Sequence, residues 1–177
     1  MKTLLAKLFL TSLTAGCLFL APALSVQAKT VEFPAKDPAF SFNLPDGWTT
    51  ETGEDGRLYC TAGDGSEFKI GFVASPGVKN VDDAKELLPK ILKGMSDAMK
   101  CENYKGSEAQ SGKMGKISYI AMDAHGTLSG TEMVLTAFIF SLTPGHYFSI
   151  VGAASTAVDQ AHNNDMHGIV TSIVAVE

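Results

Sequence analysis

Three short turns decide what the first half of this chain can become. Pro45-Asp46-Gly47, Asp55-Gly56 and Asp64-Gly65 fall between segments whose apolar and polar residues alternate. Ahead of the first turn, Phe40, Phe42 and Leu44 alternate with Ser41 and Asn43. A period of two marks a strand with one buried face. Pro45 pre-sets the backbone for a turn and lacks a ladder donor, so the strand must stop there. Asp46 tolerates the next position and Gly47 closes the turn. An Asp-Gly pair between alternating segments signals a hairpin, because such turns need positive φ at the centre. Segments 49–53, 57–62 and 67–75 therefore read as successive strands of an antiparallel meander. Trp48, the only tryptophan, opens the first of these segments and should cover the end of the core.

The period changes in "NVDDAKELLPKILKGMSDAMK". Val81, Ala84, Leu87, Leu88, Ile91, Leu92, Met95 and Met99 make one helical stripe. Asn80 is the expected N-cap, Asp82 and Asp83 suit the positive helix start, and Pro89 should bend the middle. Beyond Cys101 the period of two returns. Strands are expected over 104–112, 116–124, 131–142 and 147–155, with turns at 112–115, 125–130 and 143–146. Met133 to Leu142 is apolar on nearly both faces, so this strand should be central and covered on both sides. Ser155 or Thr156 can cap a closing helix, in which Val158, Ala161, Met166, Ile169, Val170 and Ile173 follow helical spacing to about Val174. The whole reads as α+β: a twisted antiparallel sheet of about six to seven strands with a helix on each face.

The first 28 residues are read as a leader. Lys2 and Lys7 precede an apolar run from Leu8 to Leu24, and Val26-Gln27-Ala28 is a small-x-small cleavage site. The expected product is periplasmic or secreted and begins after Ala28. Lipidation at Cys17 within "LTAGC" competes less well, because Thr14 stands where such sites carry leucine and apolar residues continue past Cys17. A transmembrane anchor also competes with cleavage, but Pro22 and the Ala-rich end fit cleavage better and the stretch is at the short limit for spanning, so membrane attachment is expected only through a lipid at Cys17. Residues 29–39 hold Pro34 and Pro38 and little periodicity, so they read as a loose arm ahead of a single domain, 40–177. Cleavage removes Lys2 and Lys7 and no acid, moving the formal net charge from −5 to −7. An acidic chain without a Lys/Arg run is poorly suited to nucleic acid, since phosphate contacts need clustered cations. Export to an oxidising compartment makes Cys60 and Cys101 a candidate disulfide, with two unpaired buried thiols as the alternative.

"FSFNLPDGW" resembles the opening of PsbP-like and DcrB-like domains of the Mog-PsbP superfamily, with Phe42, Pro45, Gly47 and Trp48 as the structural signature. The order of elements is similar over residues 38–176. The resemblance implies an α/β/α sandwich and a largely non-enzymatic role in assembly or the envelope. It supplies no catalytic residue and no cofactor.

The residues themselves offer little chemistry. His125 and His146 sit in expected turns, no Gly-x-Ser-x-Gly elbow occurs, and no local signature supports a Cys–His pair. "HNNDMH" places His162 with Asp165 and Met166 on one helix face, weak candidate ligands for copper or zinc, against the plainer reading of a solvated face. His167 points elsewhere on an ideal helix. The acids Asp46, Asp64 and Glu67, like Glu54, Asp55, Asp82 and Asp83, are accounted for by turns and helix capping, and calcium-loop spacing is absent. The expectation is a non-catalytic exported binding or assembly module without a cofactor. It would engage a protein partner in the envelope through a sheet edge or a groove beside a helix. The alternative is a small-molecule or metal-ion binding protein with its site between sheet and helix.

Overall fold

The computed structural model describes residues 28–176, apart from 116 and 144. The expected leader, with Cys17, lies outside the described residues except for Ala28. The chain runs β1 (Lys29–Phe33), β2 (Phe40–Leu44), β3 (Thr49–Thr52), β4 (Leu58–Thr61), β5 (Lys69–Ala74) and α1 (Val81–Met99). It continues with β6 (Glu102–Gly106), β7 (Gln110–Met114), β8 (Ile117–Leu128), β9 (Thr131–Thr143) and β10 (His146–Ser155). It closes with α2 (Thr156–Ala161), α3 (Asn163–Thr171) and the short β11 (Val174–Ala175). The turn glycines Gly47, Gly56 and Gly65 all have positive φ, at 79°, 76° and 81°. This is the backbone that the Asp-Gly signals required.

The strands form two antiparallel sheets rather than one. The larger has eight strands in the order β3-β4-β5-β10-β9-β8-β6, with β7 also paired to β8. The smaller is β1-β2-β11. Phe40–Leu44 therefore does not lead the meander. It lies between β1 and β11, with Val31 opposite Phe42 and Val174 opposite Ser41. The arm expected at 29–39 is corrected in the same way, since Lys29 to Phe33 pairs along the whole length of β2. The tail expected to stay helical to Val174 ends at Thr171 and returns as β11.

Alternation sorts the core into two clusters on opposite faces of β9. Met133, Leu135, Ala137 and Ile139 join Ala84, Leu88 and Leu92 of α1. Phe138 and Phe140 join Phe40, Phe42 and Leu44 of β2, Phe72 of β5, Phe148 and Ile150 of β10, and Ile169 and Val170 of α3. Phe42 stacks on Phe72 at 4.3 Å, and Phe40 meets Phe148 edge-on at 4.9 Å. Such contacts each add about 0.5–1.5 kcal/mol beyond the area they bury. The expected central strand is thus confirmed, but one of its faces is covered by a small sheet and short helices together. α1 is capped as expected, with Asn80 Oδ1 accepting from the backbone N–H groups of Asp82 and Asp83. It runs unbroken through Pro89, which lies on its exposed face.

Three further expectations are corrected. The segment 104–112 is split between β6 and β7, and "HGTLSG" is strand as far as Leu128. The candidate disulfide is absent. Cys60 and Cys101 are both free, because Cys60 points into the aromatic cluster while Cys101 packs against the α1 cluster on the other side of the sheet. Burial pushes the Cys60 thiol up to about 12, against the opposing pull of Lys29.

Candidate functional site

The densest polar arrangement is centred on His162, between α2 and α3. The β4–β5 turn brings up one side of it. Asp64 Oδ1 accepts from the Ser66 backbone N–H at 2.9 Å, and Ser66 Oγ accepts from that of Phe68 at 3.3 Å. Helix α3 supplies the other side through Asp165, one turn beyond His162. Nδ1 of His162 lies 2.9 Å from Asp165 Oδ2, while Nε2 lies 2.9 Å from Ser66 Oγ and 3.1 Å from Asp64 Oδ2. The ring is buried, stacked on Phe68 at 4.6 Å and met edge-on by Trp48 at 6.0 Å. Trp48 therefore does close the end of the core, and the residue it covers is His162.

The distances from Ser66 through His162 to Asp165 are those of a Ser-His-Asp triad. The surroundings oppose that chemistry. Asp64 Oδ2, 3.1 Å from the same His162 Nε2, competes with Ser66 for that nitrogen, and hydrogen bonding from Ser66 holds the Asp64 carboxyl below its usual range. When His162 is protonated, its two N–H groups donate to carboxylates on two different segments, and the cluster ties the β4–β5 turn to the closing helices. The i,i+3 spacing of His162 and Asp165 was visible in the sequence. Ser66, Asp64 and Phe68 were not, because nothing local links residues 64–68 to residue 162.

The expected ligand set is divided by this geometry. His162 and Asp165 bond to each other, and Met166 turns toward a separate cleft. Among the described residues no group of three or more His, Cys, Asp or Glu is placed to hold a metal ion. His125 is exposed on β8, His146 begins β10 beside Thr143, and His167 is exposed on α3.

The cleft that Met166 lines lies between the larger sheet and α2–α3 and has a volume of about 320 Å³. Ile70, Tyr119, Phe138, Ile150 and Val170 form apolar walls, with Asp123, Thr136, Asp159 and Asn163 as the polar groups. Thr136 Oγ1 donates to Asp123 Oδ1 at 2.8 Å. Burial, and next the charge of Asp123, holds the Asp159 carboxyl above its usual range, while His125 pulls it the other way.

A second groove of about 480 Å³ runs beside α1. The helix buries Ala84, Leu88 and Leu92, four residues apart, and only half-buries Leu87, Ile91 and Met95 beside them. That flank faces Val73 of β5 and Val151 of β10, with Arg57 and Lys90 among the polar groups that line the groove.

This arrangement of sheets and helices is shared with solved structures. Cyanobacterial PsbP (CyanoP) from Synechocystis sp. PCC 6803 matches with a TM-score of 0.65 at 12% identity, over 85% of this chain and 94% of that one. The fold is PsbP-like. LpqN, described as involved in cell envelope biogenesis of Mycobacterium tuberculosis, has the PsbP-like arrangement at a TM-score of 0.56 and 12% identity, over 85% of this chain and 92% of that one. PA94 of Pseudomonas aeruginosa, a protein of unknown function, matches at 0.51 and 9% identity, over 84% and 98%. No family model and no curated protein sequence matches the chain.

Proposed function

We propose that this chain is a non-catalytic binding module exported to the cell envelope, where it engages a protein partner through the groove beside α1. The groove carries the reading. The apolar stripe of α1 extends beyond the residues it buries, and the half-buried Leu87, Ile91 and Met95 form one wall of a groove completed by Val73 of β5 and Val151 of β10. A partner segment laid there would complete the burial of that flank. The leader pattern supports export, with cleavage after Ala28 favoured over lipidation at Cys17. The PsbP-like fold and its likeness to an envelope protein, LpqN, support the compartment. Residues 40–177, together with the paired β1, are taken as one domain of α/β/α layering. In it the small sheet shares the second layer with α2 and α3. The Asp64 carboxylate that competes with Ser66 for His162 Nε2 supports the non-catalytic part.

A photocrosslinking residue placed at Met95, with one at the exposed Lys113 as control, tests the proposal in envelope extracts. A discrete adduct from Met95 alone is the expected result. No adduct at Met95 would overturn the partner reading, and turnover of an ester lost on Ser66→Ala would overturn the non-catalytic one. A second reading, a small-molecule or metal-ion binding protein, is favoured by the walled cleft under α2–α3, whose volume reaches the lower end of ordinary ligand pockets, about 300 Å³. Its apolar lining supports the small-molecule form.

A further inference from the structure

The cleft under α2–α3 carries charge that no lysine or arginine among the described residues answers. Asp123 stands exposed on β8 and Asp159 half-buried on α2, at the polar end of an otherwise apolar cavity. Among the described residues no lysine or arginine lines the cleft, and none of the ion pairs involves either acid. Thr136 occupies one oxygen of Asp123. Burial first, and the like charge of Asp123 second, raise the Asp159 carboxyl, with only His125 pulling the other way.

An acidic ligand would add to that repulsion. A neutral one would leave it standing. A cation seated between the two carboxylates would turn it into two attractions, and the stacked pair of Tyr119 and Phe138, 4.7 Å apart, would offer aromatic surface to its body. We propose that this cleft binds an organic cation, an amine or guanidinium carried on an apolar body, with Asp123 and Asp159 as its counter-charges. The proposal rests on the small-molecule reading of the cleft and is independent of the groove beside α1.

Calorimetry on the purified protein with octylammonium, 1-octanol and octanoate tests it, since the three share one apolar body and differ in head-group charge. Octylammonium is expected to bind about tenfold more tightly than octanol, a difference of about 1.4 kcal/mol, with octanoate weakest. Octanol should compete with octylammonium. The double variant Asp123→Asn, Asp159→Asn should bring octylammonium to the affinity of octanol and leave octanol unchanged. Equal affinities for octylammonium and octanol in the native protein would overturn the cation while leaving the cleft reading in place. Binding of none of the three would overturn both. A preference for the ammonium that survives the double variant would overturn the assignment to these two carboxylates.

Discussion

A single methyl group at Gly63 should separate the two turns that hold Trp48 over His162. Gly63 follows β4, and a Cβ built on it would lie 2.0 Å from the Gly47 carbonyl oxygen, 2.6 Å from its carbon and 3.1 Å from its Cα. Contacts below 3.0 Å are essentially never made by real Cβ atoms, so the turns must part by about 1 Å, the shortfall at the oxygen. Backbone stands on both sides of the clash, and no side chain can swing away to relieve it. Gly47 is itself held at φ 79° in the turn closed by the Trp48 N–H to Pro45 carbonyl bond of 3.3 Å. Overpacking costs about 1–3 kcal/mol when neighbours can adjust, and a backbone clash belongs at the upper end, about 3 kcal/mol. For a chain of this size that lowers Tm by roughly 6–12 °C. Melts followed by Trp48 fluorescence and by far-ultraviolet circular dichroism would measure it. The native emission should also shift to the red, since Trp48 is only 7% exposed before the change. Gly77→Ala is the control, because no atom lies within 4 Å of its built Cβ. It should stay within about 0.5 kcal/mol of the native protein. If Gly63→Ala melts with Gly77→Ala, the close approach of the two turns is not a constraint, and the account of the Pro45–Trp48 signature fails.

Asp159→Asn should stabilise the ligand-free protein at pH 7. The folded carboxyl is raised above its unfolded value of about 3.9 by burial and by Asp123, which together outweigh its favourable place in the first turn of α2. Stability tied to its protonated form is complete below that unfolded value and is lost as pH rises through the folded one. The advantage of Asp159→Asn should therefore vanish below about pH 4. A chemical-denaturation series across pH checks the sign, and an advantage that persists at pH 3 would contradict it. Alkylation of the native protein should modify Cys101 well before Cys60, whose thiol is buried and held at about 12. Mass spectrometry after a timed pulse reads the order, and a mass showing Cys60 joined to Cys101 would refute their placement on opposite faces.

What this sequence determined by itself is what short-range stereochemistry can settle. Asp55-Gly56 and Asp64-Gly65 demanded positive φ and became turns. The stripe from Ala84 to Met95, capped at Asn80, became α1. The two-sided run from Met133 became the covered central strand β9. Each of these signals lies within a few residues of the element it specifies. The tertiary structure alone decided the pairings. Phe40, Phe42 and Leu44 alternate in the same way whichever sheet they join, and their choice of β1 and β11 depends on a strand more than a hundred residues away. "HGTLSG" has the composition of a turn yet lies mostly in β8, because His125 to Leu128 find ladder partners on β9. Cys60 and Cys101 fell on opposite sides because Cys60 lies on the aromatic face of β4 and Cys101 follows α1 on the other face, which spacing cannot reveal. His162 needed Trp48, residues 64–68 and Asp165 to converge on one ring, and the cleft needed Asp123 and Asp159 to meet across two layers. Neither is visible until distant segments fold together, because the forces that bring them there are burial and packing, which have no period along the chain.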